Sequence, residues 1–148
     1  MIWTPQLRVF IPGIAAPQGS KKGVLHKHTK KIILLESSKF VKPWRAQVVE
    51  YCSGRIAKLD EAVHVDVQFW FDRPKTVKTP YPIGNQGDID KLLRSTYDGL
   101  VMAQVMRDDR LIVGGEQYKD FTPEGEESGA YVTVLALRTF ADYNQVKE

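Results

Sequence analysis

Between Val63 and Phe71 the sequence alternates without a break. Val63, Val65, Val67, Phe69 and Phe71 fall on one side of an extended chain, and His64, Asp66, Gln68 and Trp70 on the other. A strand with one wholly apolar side needs a sheet around it and a layer of apolar side chains against that side. The chain supplies the layer further on. Ile89, Leu92, Leu93, Thr96, Tyr97, Leu100 and Val101 share one face of a helix expected over 89–101, while Asp90, Lys91, Arg94, Ser95 and Asp98 share the other. A second helix is expected from Pro43, a residue suited to the first helical position, with Trp44, Val48, Val49, Cys52, Ile56 and Leu59 at helical spacing. Leu7 to Ile11 reads as a first strand stopped by Pro12 and Gly13. Residues 15–23 read as loop, 24–35 as a basic hairpin turning near Thr29 and Lys30, 110–121 as a strand, 123–129 as an acidic turn and 130–138 as a last strand. The expected fold is a single α+β domain over 1–138 with a mixed sheet and two main helices, followed by a polar tail at 139–148.

At 148 residues and 43% hydrophobic, one domain is expected, burying about 70% of its unfolded surface without help from disulfides or structural metal. The lone cysteine, Cys52, excludes an intrachain disulfide and a Cys-rich zinc site, and an intracellular setting is expected. On the apolar face of its helix it reads as a buried thiol. No apolar stretch approaches the roughly 18 residues of a membrane span. Met1 to Pro17 holds no basic segment followed by an unbroken apolar block, so no secretory signal is expected. The net charge of +3 conceals an asymmetry. Residues 1–45 carry nine Lys or Arg against the single acid Glu36, a balance of +8, and residues 46–148 balance at −5. Such a split suits a basic segment that meets a polyanion and a body that keeps carboxylates for another purpose; the plainer alternative is a solvated basic face.

The carboxylates concentrate in Gly87-Asp88-Ile89-Asp90-Lys91-Leu92-Leu93-Arg94 and, downstream, Arg107-Asp108-Asp109. Asp88 is a natural N-cap and Asp90 lies just inside the helix, so both face the space off its N-terminus. Asp90 and Arg94, and Arg94 and Asp98, are four apart on the exposed face, the spacing of helical ion pairs. Should the strand after Asp109 lie beside the helix entry, Asp109 completes a three-carboxylate cluster. Like charges a few ångströms apart raise one another's pKa unless a cation neutralises them. Oxygen ligands in that number suit Mg²⁺, or Mn²⁺, bound with water and a substrate phosphate, and such a metal promotes phosphoryl transfer. Taken singly, each aspartate has an ordinary alternative as helix cap, ion-pair partner or turn residue.

The run GDIDKLLRSTYDGL followed by VMRDDRLIV resembles the signature of the RusA family of Holliday-junction resolvases. That signature is roughly a D-x-D-N-L-x-K helix with a downstream Asp-Ala-Leu, then an Asp-Asp pair before a hydrophobic strand. The loop APQGSKKG and residues 36–45, ESSKFVKPWR, are similar to phage and actinobacterial branches of the family. The resemblance implies a RusA-like fold and a Mg²⁺-dependent, structure-selective endonuclease. It implies a homodimer that nicks opposed strands of a four-way junction or other branched DNA in the cytoplasm of a bacterial or phage-infected cell. Matched residue by residue, the family's metal-binding aspartates fall on Asp88, Asp90 and Asp109. Its catalytic lysine falls on Arg94, which keeps the charge and can fork onto a phosphate but cannot donate a proton near neutral pH. Lys91 stands where the pattern has Asn, and Gly87 where the family often has Pro.

The basic hairpin fits as a phosphate-tracking element, with Lys21, Lys22, Lys27, Lys30 and Lys31 as DNA-backbone contacts. The arm from Asp72 to Gly87, with its three prolines, reads as a mobile flap or approach arm. His26 and His28 share a strand face but make no convincing zinc site. His64 and Asp66 read as surface residues, and Trp44 as core rather than a dimer or DNA contact. A D-x-D phosphatase would carry its motif at the end of a buried strand, and a D-x-D glycosyltransferase would need a nucleotide-sugar domain for which the chain has little room. The serious rival is a non-catalytic branched-DNA-binding protein that keeps the fold.

Overall fold

A computed structural model describes residues 1–19, 22–25, 32–35 and 39–141, the two short stretches by their backbone. The elements are β1 (Ile2–Pro12), β2 (Lys22–Leu25), β3 (Ile32–Leu35), α1 (Val41–Cys52), β4 (Val63–Phe71) and α2 (Ile89–Met102). A 3-10 turn (Asp109–Leu111), β5 (Ile112–Gly114), β6 (Gln117–Phe121) and β7 (Gly129–Arg138) complete the order. The alternating strand is central, as a strand with one apolar side requires. β7 pairs antiparallel with β4 on one edge and with β1 beyond it, while β5 and then β6 run parallel to β4 on its other edge. The sheet is mixed and the domain is α+β, as the sequence implied.

Alternation decides which side is dry. Val63, Val65, Val67 and Phe69 are at most 1% exposed and share one core cluster with Trp44 and Val48 of α1 and Leu92 and Leu100 of α2. Both helices therefore contribute to the layer over that face. Close approach of the helices depends on Gly99, where an added Cβ would fall 2.7 Å from Val48 Cβ. The opposite face keeps His64 stacked on Trp3 with ring centroids 3.7 Å apart, and Asp66 accepting from the Glu116 N–H at 2.9 Å. These are structural duties rather than chemistry. Trp44 is core and Cys52 is a free, buried thiol, both as expected.

Several boundaries differ from the sequence reading. β1 begins at Ile2, with a register shift between Pro5 and Leu7. α1 begins at Val41, making Pro43 its third residue, still within the first turn, where no intrahelical donor is lost. It ends at Cys52, leaving Ile56 and Leu59 outside; Leu59 forms an isolated parallel bridge with Met106. Ser95 is buried, not exposed, because its hydroxyl donates to Ala16 O at 2.6 Å and Leu92 O at 3.0 Å. The single strand expected at 110–121 is two, separated where the Asp66 carboxylate takes the Glu116 N–H. The basic hairpin has a ladder running from Lys22↔Leu35 to Leu25↔Ile32. Lys21, Lys27, Lys30, Lys31, His26, His28 and the turn expected near Thr29 and Lys30 fall outside the described residues.

The Asp72–Gly87 arm is knitted to itself. Arg73 Nη1 donates to Thr79 O at 2.6 Å and Val77 O at 3.4 Å, while its guanidinium lies 4.0 Å from the centroid of the Phe121 ring. Thr79 Oγ1 donates to Tyr81 O, and Gly84 N to Gln86 Oε1, each at 3.0 Å. These bonds give the long connection a defined course from β4 to the start of α2.

Candidate active site

The chain enters α2 through Gly87, whose φ is +109°. A side chain there would collide with Pro17, its Cβ only 2.6 Å from Pro17 Cγ. The backbone explains why this chain departs from the proline of the resembling pattern, since proline fixes φ near −65°. Three bonds hold the entry from either side. Lys119 Nζ of β6 donates to Gly87 O at 2.9 Å, Gln18 N donates to Lys91 O at 3.0 Å, and Ser95 reaches Ala16 O.

Asp88 occupies the N-cap in extended conformation, and its carbonyl accepts from the N–H groups of Lys91 and Leu92. Its carboxylate makes no capping hydrogen bond. The expectation of an N-cap thus holds for the backbone and fails for the side chain, which remains exposed. Asp90 is exposed too. It does not pair with Arg94 as the spacing suggested, but with its neighbour Lys91 at 2.8 Å. The hydrogen bond from Lys91 holds its carboxyl below the ordinary range. Asp98 likewise takes other partners, Gln18 Nε2 at 2.8 Å and Arg45 Nη1 at 3.9 Å. Arg94 is left exposed on α2 with no ion pair among the described residues. Local geometry explains these exchanges: immediate neighbours or the adjoining loop reach the carboxylates before Arg94 does.

The second aspartate pair lies near the other end of the helix. β5 pairs parallel with the start of β4, Ile112 opposite Val63, so the preceding turn lies towards the exit of α2. Asp108 Oδ1 accepts from the Arg110 N–H at 2.9 Å and caps the 3-10 turn. Asp109 is exposed, yet its carboxyl is raised above the ordinary range, first by desolvation and then by hydrogen bonding and charge from Asp108, with Asp98 adding repulsion. Asp98, Asp108 and Asp109 line a depression of about 260 Å³ together with Arg45. The sequence places Arg45 in the basic N-terminal balance and the segment 36–45, and Asp98 as a helical partner and the downstream Asp of the resembling signature, but joins neither to Asp109. Their conjunction with Asp109 depends on the crossover from α2 to β5, which no local pattern encodes.

Asp88 and Asp90 at the entry of α2 are therefore not gathered with Asp109, which lies beyond its exit. Eight residues separate Asp90 from Asp98, a rise of about 12 Å. Among the described residues no group of three or more His, Cys, Asp or Glu is arranged to hold a metal ion. The donor chemistry nonetheless fits a hard cation. Mg²⁺ is commonly held by one or two carboxylates, the remaining positions being water and substrate phosphate, rather than by a cage of protein ligands. Both acidic positions offer carboxylate oxygen alone.

The sequence pattern of the family described as Endodeoxyribonuclease RusA matches residues 15–134 of the 148. The chain belongs to the RusA endodeoxyribonuclease family. No curated protein matches the chain. The RusA match takes in the loop at 15–18, both helices, the arm and all four aspartates of the two pairs, and begins after β1. Membership makes the chain a nuclease of the class that acts on branched DNA, Holliday junctions in general. No helix among the described residues is long and apolar enough to cross a membrane.

Proposed function

We propose that the protein is a Mg²⁺-dependent, structure-selective endonuclease that resolves four-way junctions and related branched DNA by paired phosphodiester hydrolysis, working as a homodimer in the cytoplasm. The observation that carries the catalytic reading is Asp88. It holds the N-cap position without capping the helix, so the ordinary structural reason for an aspartate there does not apply. Family membership supports the nuclease chemistry.

Asp88 and Asp90 at the entry of α2, and Asp109 beyond its exit, would each offer carboxylate oxygen to Mg²⁺, which Mn²⁺ could replace; one or two carboxylates suffice for such an ion. When bound, Mg²⁺ supplies an activated water and neutralises charge on the phosphoryl oxygens. The chain's own residues do the rest. Lys91 keeps Asp90 ionised and available as an oxygen donor. Arg94, exposed and without an ion pair among the described residues, offers a planar cation to a phosphate and stabilises negative charge there without transferring a proton. Lys22, which opens β2, and Lys21, Lys27, Lys30 and Lys31 track the DNA backbone in this reading. Two equivalent scissile phosphates on a symmetric junction call for two copies of the acidic helix, which favours a dimer.

The test is a nicking assay on a synthetic four-way junction with Mg²⁺, with Mn²⁺ and with chelator, alongside light scattering of the free and bound protein. Symmetric nicks that need the metal, made by a dimer, are the expected result. Tight junction binding with no nicking under any metal condition would instead establish a non-catalytic branched-DNA binder. Replacing the five lysines together should weaken binding and flatten its salt dependence.

A further inference from the structure

A groove of about 540 Å³ lies beside the entry of α2 and takes no part in the chemistry above. Its size falls within the ~300–1,000 Å³ of small-ligand sites. Ala15, Ala16, Pro17 and Phe71 line it, and so do Ile14 and Phe40, which are 72% and 59% exposed. The polar residues of the lining are few: Asn85, Gln86, Ser128 and Asp72. Lys39 Nζ stands 5.2 Å from the centroid of the Phe40 ring.

We infer that this groove receives one unpaired nucleobase of the branched DNA, from a nucleotide next to the phosphate that is cut. The inference rests on the nuclease reading and adds a specificity site to it. A nucleobase is a flat, largely apolar ring with donors and acceptors on its edge. It stacks on aromatic side chains and is read by hydrogen bonds to that edge. Phe40 and the aliphatic lining suit the ring faces; the Asn85 amide carries both donor and acceptor for the edge, and Gln86, whose Oε1 takes the Gly84 N–H, keeps its amide donors. The cation beside Phe40 suits the attached phosphate.

Position ties the groove to the cut. Gln86 is two residues from Asp88, and two residues span at most ~7 Å. A base held there belongs to a nucleotide adjoining whatever phosphate Asp88 serves. The groove is also fixed relative to the helix, since Pro17 packs on Gly87, Ala16 O accepts from Ser95 and Gln18 N donates to Lys91 O. Extruding a base costs least where it is already mismatched or single-stranded, as at the opened branch point of such a substrate.

The test is a double-mutant cycle between protein and substrate. Single abasic sites are placed at each nucleotide flanking the mapped nick, and binding is measured in EDTA for the parent, Phe40→Ala and Asn85→Ala. At one position the abasic site should weaken parental binding about tenfold or more. Phe40→Ala should lose a similar factor on intact DNA, and combining the two should lose no more than either alone. Asn85→Ala, on the surface of the arm, keeps the test valid if Phe40→Ala misfolds. Penalties that multiply at every position, or an abasic scan with no effect, would overturn the groove while leaving the nuclease standing. A chain that neither binds nor nicks junctions would overturn both.

Discussion

The indole Nε1–H of Trp44 donates to Thr96 Oγ1 at 3.0 Å, and the Thr96 hydroxyl donates in turn to Leu92 O at 2.8 Å. Both side chains are closed to water, at 1% and 0% exposure, so the indole N–H has no water to turn to and depends on Thr96 for its partner. This bond crosses from α1, which follows the basic N-terminal segment, to α2, which carries Asp88 and Asp90. The bond and the close Val48–Gly99 approach both lie between the two helices.

Thr96→Val should therefore destabilise the fold by about 1–3 kcal/mol, the cost of leaving a buried donor unpaired. Thr96→Ser keeps the hydroxyl and should cost less. Urea denaturation compares the three proteins. Equal midpoints for parent and Thr96→Val would show that the bond contributes nothing.

What the sequence made legible follows from period. Val63 to Phe71 obeys a two-residue repeat, and α2 a 3.6-residue repeat, over lengths that leave little ambiguity, and both elements form as read. Ser95 is polar yet buried because its acceptor, Ala16 O, lies 79 positions away, beyond the reach of any local pattern. The same limit governs the site. Asp88 and Asp90 are local and were found by spacing. Arg45 and Asp98 join Asp109 only through tertiary contacts and were missed as a group. Arg94 was assigned two ion pairs by spacing and makes neither, because Lys91 and the 15–18 loop stand nearer those carboxylates.

Gly87→Ala tests whether the helix entry sets the position of Asp88. The substitution places a Cβ in a left-handed backbone conformation and 2.6 Å from Pro17 Cγ. Strain of this kind costs about 1–3 kcal/mol, and relieving it must move either the 15–18 loop or the residue that precedes Asp88. Nicking should fall by more than the loss of folded protein explains. Parental stability and parental nicking together would show that the entry tolerates the change.

Burial pushes the Cys52 thiol up to about 11 from an ordinary 9.0. The folded state therefore keeps its proton where the unfolded chain has lost it. The stabilisation is fully present below pH 9 and is lost as pH rises from there towards 11. Cys52→Ala removes that slope, so parent and variant should diverge in stability at neutral pH and converge by about 2 kcal/mol as pH reaches 11. Denaturant midpoints from pH 8 to 11 measure it. Parallel curves would show a thiol that titrates in the fold as it does in water.

Asp90→Asn and Asp109→Asn separate ligands from scaffold. The amide is nearly isosteric with the carboxylate but a poorer ligand for a hard cation, so each variant should lose Mg²⁺-dependent nicking. Junction binding should persist, since one negative charge near the DNA is gone. Their effects on the metal-free protein should differ. Asp90 is paired with Lys91 and held below its ordinary pKa, so its loss removes an exposed attraction and changes stability little. Asp109 is raised by desolvation and by Asp108 and Asp98. A carboxyl whose folded pKa is raised opposes folding once pH climbs through its titration, so at neutral pH Asp109→Asn should melt higher than the parent. Mg²⁺ should raise the parent's melting temperature by neutralising the same repulsion and leave the Asp109→Asn protein nearly unmoved. Melting curves with and without Mg²⁺ give both readings. A lower melting temperature for Asp109→Asn, with nicking intact, would make Asp109 a structural residue and remove it from the metal site.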